Sequence, residues 1–352
     1  MPSFRISITT ILTLLLMSSC AMTPSGVDTR QKINLSLVWP KPPAEPRISF
    51  ERSINTAGDL GIKQNLFRRF MNAMSGKKDN RLVRPTGVAE RGGTIYIADI
   101  GGQVLWILDP AHNKSLEVRQ AGDSPLVTPA AVTVRSDGAV YVADSWAKKV
   151  YLLDKRGKFL GIAAQTGLQR PAGVAYDEDN SRLYVADSAA HAISVYNPDG
   201  KRILSWGRRG SADGEFNYPT HICIDPMGRI LVTDSLNFRV QAFNRDGKFL
   251  WKFGRHGDGS GDFASPKGLA MDSVGHVYVV DALFDAVQIF NPDGALLLTF
   301  GEQGVAPGQF WLPGGIFISS EDRIYVTDAY NHRIQVFDYI DDQKPLSRQD
   351  LQ

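Results

Sequence analysis

Short apolar runs recur along most of the chain, each bounded by clusters of Gly, Pro, Asn and Asp. The clearest are Leu183-Tyr184-Val185-Ala186-Asp187 and Ile324-Tyr325-Val326-Thr327-Asp328. Runs of this length between turn-formers suit strands, not helices. A second kind of run follows each. In residues 239–244, Val240 and Ala242 alternate with Gln241, the pattern of a half-buried strand. The aspartates that end the first kind of run fall at Asp99, Asp144, Asp187, Asp234, Asp281 and Asp328, with spacings of 45, 43, 47, 47 and 47. Leading prolines keep step at Pro85, Pro129, Pro171, Pro219, Pro266 and Pro313.

Six copies at this period mean a repeat array, and each period divides into four strands, here termed a to d. The expectation is an all-β, six-bladed β-propeller with four-stranded blades starting near 85, 129, 171, 219, 266 and 313. The c–d turns support it. Asn197-Pro198-Asp199-Gly200 and Asn291-Pro292-Asp293-Gly294 place proline where the first turn angle is preset and glycine where it is left-handed. The sixth copy stops after strand c, near Asp338. Upstream of the first copy, residues 47–54 form an alternating strand with no local partner. They are expected to supply the missing outer strand, so that the propeller spans 47–338 and hides its own edge.

Other segments lie outside the ring. Arg5 and a short apolar stretch, residues 6–17, read as a signal peptide over 1–19. Leu16-Met17-Ser18-Ser19-Cys20 resembles a bacterial lipobox, which implies acylation of Cys20. Residues 20–46, with Pro40, Pro42, Pro43 and Pro46, then read as an extended tether from membrane to domain. Residues 59–76 predict a short amphipathic helix. Leu66, Phe67, Phe70, Met71 and Met74 form one stripe, and Lys63, Arg68 and Arg69 lie among the basic residues elsewhere on it. That helix either packs on the propeller or meets anionic headgroups or a partner. Residues 339–352 read as a polar tail. A net charge of +2 gives no electrostatic case for nucleic acid. With Cys20 acylated, Cys223 is left without a disulfide partner and reads as a small buried hydrophobe.

The segment Asp328-Ala329-Tyr330-Asn331-His332-Arg333-Ile334 resembles the NHL repeat, and Asp234-Ser235-Leu236-Asn237-Phe238-Arg239-Val240 resembles it with Phe in place of His. The likeness covers about residues 84–338 and implies the propeller fold. Two enzyme groups also look similar. The amidating lyases place zinc-binding histidines after the leading proline, and the gluconolactonase-like propellers place Asn there beside a divalent metal. Here those positions hold Thr86, Ala130, Ala172, Thr220, Lys267 and Gly314, and Lys267 would repel a cation. No cofactor is expected. The six aspartates are expected to close the b–c turns.

Two axial side chains, His221 and Lys267, remain binding candidates, with the b–c loop side chains Trp146, Lys148, Phe238, Arg239, Phe284, Tyr330 and Arg333. The loop residues either form a binding surface or pack on neighbouring blades, and the two arginines are alternatively partners of the repeat aspartates. Phe216, Phe263 and Phe310, in Gly-x-Phe elements, read as inter-blade packing. The resulting expectation is a non-catalytic, lipid-anchored cell-envelope protein, at the outer membrane, that binds an envelope protein, peptide or glycan. A metal-dependent lactonase or lyase with a divergent axial site is the competing reading.

Overall fold

The computed structural model describes residues 37–63 and 81–340. Cys20, the signal segment, and residues 64–76 of the expected helix lie outside them. Six antiparallel sheets follow one another around a central axis. Blade four is representative: Pro219–Ile224, Ile230–Asp234, Arg239–Phe243 and Phe249–Phe253 hydrogen-bond in that order from axis to rim. Strand a of blade six lies against strand a of blade one, which closes the circle.

Apolar side chains form six clusters, each shared by two consecutive blades. This arrangement overturns one expectation. Strand c is not half-buried: every residue of Arg239–Phe243 is buried, Gln241 included. A blade sandwiched between two others covers both faces of its middle strands, so alternation there sorts side chains between two cores and not between core and water. Gln241 keeps its amide satisfied by donating to the Glu215 carbonyl at 2.8 Å. The Gly-x-Phe phenylalanines are fully buried and sit against Phe243, Phe290 and Phe337 of the following blade.

Blade six is completed by the strand Ile48–Ile54, antiparallel to Arg333–Tyr339 with Ile48 opposite Tyr339 and Ile54 opposite Ile334. A bulge between Phe50 and Arg52 inserts one residue. Without it Ile48 and Ile54 would share a face; with it they point to opposite faces. Ile48 therefore enters the core between blades five and six, and Ile54 the core between six and one. Two features upstream and downstream differ from the sequence reading. Val38–Trp39, inside the expected tether, adds a fifth strand to this blade, with Trp39 edge-on to Phe337. Asp59, where the helix was expected to begin, lies in a 3-10 turn, Ala57–Leu60, that ends at Gly61 with φ of 74°.

Candidate functional site

Each repeat aspartate ties two loops together. Asp99 accepts hydrogen bonds from the Val83 and Arg84 amides at 2.7 and 2.8 Å and from Gly102 in its own b–c turn at 2.9 Å. Asp187 repeats this with Gln169, Arg170 and Ala190, and Asp281 with Ala264, Ser265 and Leu283. In blades one, two, three and five the carboxylate thus closes the b–c turn, as the sequence implied, and also holds the two amides that precede the leading proline. In blades four and six it holds only the first, Asn217 or Trp311, and the second donates to His191 Nδ1 or Asp285.

Arg239 and Arg333 need correction as loop-face binding residues. Both are buried. Arg239 Nε donates to Asp234 at 2.8 Å while its other nitrogens reach the Ser211, Ala212 and Glu215 carbonyls. Arg333 does the same with Asp328, Val305, Ala306 and Gln309. Burial pushes the Asp234 carboxyl up from its ordinary range, opposed by Asn237, the Asn217 amide and Arg239. The position four residues after each aspartate has positive φ in all six blades: Gln103, Lys148, His191, Phe238, Asp285 and His332 lie between 50° and 57°. Its side chain bridges to the next blade in several copies. His332 Nδ1 meets the Val83 carbonyl, Asp285 accepts from the Leu312 amide, and Phe238 packs on His256 at 4.3 Å. Lys148 and Phe238 are therefore turn residues first, though Lys148 remains exposed; Phe284 is half-buried.

One repeat position on the loop face presents apolar side chains. Two residues after the aspartates stand Trp146, Leu236, Leu283 and Tyr330, exposed by 70%, 50%, 63% and 45%. Trp311 packs beside Tyr330, tilted by 37° with ring centroids 5.7 Å apart. Trp146 and Tyr330 stand out in the sequence as aromatic loop residues, whereas Leu236 and Leu283 stand out only by sharing their position two residues after the aspartate.

The axial channel differs from its expected form. Residues directly after the prolines pair around the ring, Thr86 Oγ1 donating to the Ala130 carbonyl at 3.1 Å and Thr220 Oγ1 to the Lys267 carbonyl at 3.4 Å, while Lys267 Nζ donates to Ser235 Oγ of the b–c turn at 3.2 Å. Burial lowers the Lys267 ammonium from its usual range, partly offset by Asp281. Below this layer lies a cavity of about 250 Å³, lined in five blades from the second residue after the proline, and in blade five from Leu269, to the ends of the inner strands. His221 lines it, with Nδ1 buried and without a protein partner while part of the residue stays open. Burial and then Lys267 push its imidazole down to about 4. Cys223, also in the lining, has its thiol pushed up to about 12 by burial and then Asp225, which disfavours the reactive thiolate. Among the described residues no three His, Cys, Asp or Glu side chains are grouped to hold a metal ion.

Three family descriptions match parts of the chain: NHL repeat at 310–337, the SMP-30/Gluconolactonase/LRE-like region at 132–254, and 6-bladed beta-propeller at 226–287. NHL repeat-containing protein 2 of Bos taurus is 32% identical over 116 residues, which are 30% of this chain and 16% of that protein. The chain therefore matches only about a sixth of that relative's length. Among solved structures, an auxiliary nutrient binding protein of Bacteroides thetaiotaomicron is similar with a TM-score of 0.59 at 14% identity, covering 75% of this chain and 71% of that one. Virginiamycin B lyase of Staphylococcus aureus gives 0.56 at 17% identity, covering 74% and 97%. At these identities the likeness is one of fold alone, and a propeller fold serves many functions. Repeat spacing and sheet order agree that this chain is a six-bladed β-propeller, and its last copy matches the NHL repeat.

Proposed function

We propose that the propeller is a non-catalytic binding scaffold of the cell envelope, anchored through Cys20, that docks a protein or peptide on its b–c loop face. The observation that carries this reading is the set of exposed apolar side chains at one repeat position, Trp146, Leu236, Leu283 and Tyr330. Large apolar groups at loop tips lose free energy in water and gain it when covered, and Trp and Tyr dominate binding energy in protein interfaces. The two leucines favour a protein over a glycan, since sugar stacking needs flat rings. The aspartate hubs beneath hold these loops in one geometry, so docking costs little ordering entropy.

The test is cross-linking capture from intact envelopes with the natural chain and with a Trp146→Ala, Leu283→Ala, Tyr330→Ala triple variant. A partner recovered with the first and lost with the second supports the reading. Equal recovery with a folded variant contradicts it. A lactonase- or lyase-like role has one observation in its favour, the His221 imidazole in the channel. Stoichiometric zinc or calcium in the purified protein would move the account towards that role.

A further inference from the structure

On the face opposite the b–c loops, the a–b and c–d turns of adjacent blades meet, and strand register lets their charges be compared. Arg91 and Thr94 in blade one occupy the places of Asp177 and Arg182 in blade three. Lys155 and Arg156 in blade two occupy those of Arg245 and Asp246 in blade four. Between blades three and four the charges match. Arg245 lies 3.0 Å from Asp177 and 2.7 Å from Asp179, and Arg182 lies 3.8 Å from Asp246. Between blades one and two the acids are missing. Arg91, Lys155 and Arg156, with Lys114 of blade one, line a cavity of about 410 Å³. Among the described residues none of these four cations has an ion pair. The nearby carboxylates are engaged elsewhere: Asp109 with His112 Nδ1 at 2.8 Å, Glu90 with the Gly93 amide at 2.6 Å, and Asp154 with the Arg156 and Lys158 amides at 2.8 Å.

The same cavity holds an open donor. Tyr96 lines it and is 2% exposed. At this repeat position in blade three, the Tyr184 hydroxyl donates to the Arg245 carbonyl at 3.2 Å. The Tyr96 hydroxyl has no hydrogen-bond partner among the described residues and, unlike the unpaired indole nitrogen of Trp106, is not sealed from solvent. Burial, then Asp109, Asp154 and Glu90, raise its pKa, so it stays protonated and able to donate. Buried polar groups are nearly always paired, so an open one in a cavity marks a place for a partner from outside.

We propose that the groove between blades one and two binds the phosphate monoester of a sugar-sized molecule, its phosphate standing where Asp177 stands between blades three and four. The phosphate follows from the donor set. A single guanidinium fork satisfies both oxygens of a carboxylate, whereas Arg91, Arg156, Lys114, Lys155 and the Tyr96 hydroxyl together match three terminal oxygens and up to two charges. Size follows from volume. A cavity of about 150 Å³ holds benzene, so the space here exceeds a bare phosphate and admits a ring beside it. Thr94 and the rim side chains can meet ring hydroxyls. The groove lies on the face away from the b–c loops and does not depend on the loop-face reading.

The probe is glucose 6-phosphate, titrated by calorimetry into the full chain at pH 7.5 and low salt. The proposal expects saturable one-to-one binding, weaker binding of glycerol 3-phosphate and none of glucose. Tyr96→Phe, which removes only an unpaired hydroxyl, should weaken binding about five- to tenfold, the fold-change of one net hydrogen bond. Lys155→Asp should abolish it, because a carboxylate there pairs with Arg91 as Asp177 pairs with Arg245. Lys155 is exposed, so neither change should alter the fold, and circular dichroism checks this. No saturable binding of glucose 6-phosphate, an unchanged affinity in Tyr96→Phe, or binding that survives in Lys155→Asp overturns the proposal. Tighter binding of glycerol 3-phosphate than of the sugar ester overturns the sugar assignment and points to a phospholipid headgroup as the source of the phosphate.

Discussion

Replacing Ile48 and Ile54 by alanine, singly and together, probes how the ring is locked. Both side chains are fully buried, one in each core beside blade six. Each substitution removes three carbons, about 2.4 kcal/mol of transfer free energy at about 0.8 kcal/mol per methylene, and leaves a cavity the rigid strands cannot fill. About 3–4 kcal/mol per site follows. The two sites lie about 20 Å apart along the strand and share no partners, so the losses should add to within about 0.5 kcal/mol. A combined loss of about 6–8 kcal/mol is comparable to the whole stability of an ordinary domain. Urea unfolding followed by tryptophan fluorescence reads it, with the slope of the transition checking that unfolding stays two-state. Ser53→Ala on the same strand is the control. Ser53 Oγ is buried without a hydrogen-bond partner, so its removal should be neutral or stabilising. Single losses under about 1 kcal/mol, or strong coupling between the two isoleucines, would refute the claim that this strand staples two separate cores.

Three further outcomes follow from the same geometry. Arg333→Met should destabilise by about 3–5 kcal/mol, because the Asp328 carboxylate stays buried without its cation; calorimetry showing less than about 1 kcal/mol would count against it. Below pH 6.5 the unfolded chain protonates His221 while the folded chain, with its imidazole held near 4, does not. Stability tied to this group is thus fully present above pH 6.5 and falls by about 3 kcal/mol as pH drops to about 4; urea midpoints for the natural chain and His221→Gln should diverge over that window, and parallel curves would refute it. Lys267→Met should raise the His221 pKa, since the ammonium is one of the two causes depressing it, and an unchanged imidazole titration by NMR would show that burial alone acts.

The fold was legible because its determinants are local and repeated. Asp187 and Asp328 end equivalent strands, Pro198 and Pro292 preset equivalent turns, and the orphan strand at 47–54 had only one place to pair. Burial direction was less legible. Arg239 and Arg333 follow loop residues in sequence, and nothing local says that their guanidinium groups turn inward to an aspartate five residues back. Trp39 was hidden by its proline-rich surroundings, which read as a linker although the ring docks on the Phe337 side chain. In the channel, the residue after each proline forms only the upper layer, and the residue after that lies beneath it. Stacking the repeats would have exposed a column of small residues broken by His221, a signal present in the sequence from the start.

The central claim is that one face of the disc, and not the other, meets a partner. A photoreactive phenylalanine analogue incorporated in place of Leu283, exposed by 63% on the b–c loops, and separately in place of Met227, exposed by 77% on an a–b turn of the opposite face, tests it in intact envelopes. The account predicts a discrete cross-linked species from position 283 and none from 227. A species from 227 alone, or equal yields from both, would contradict it.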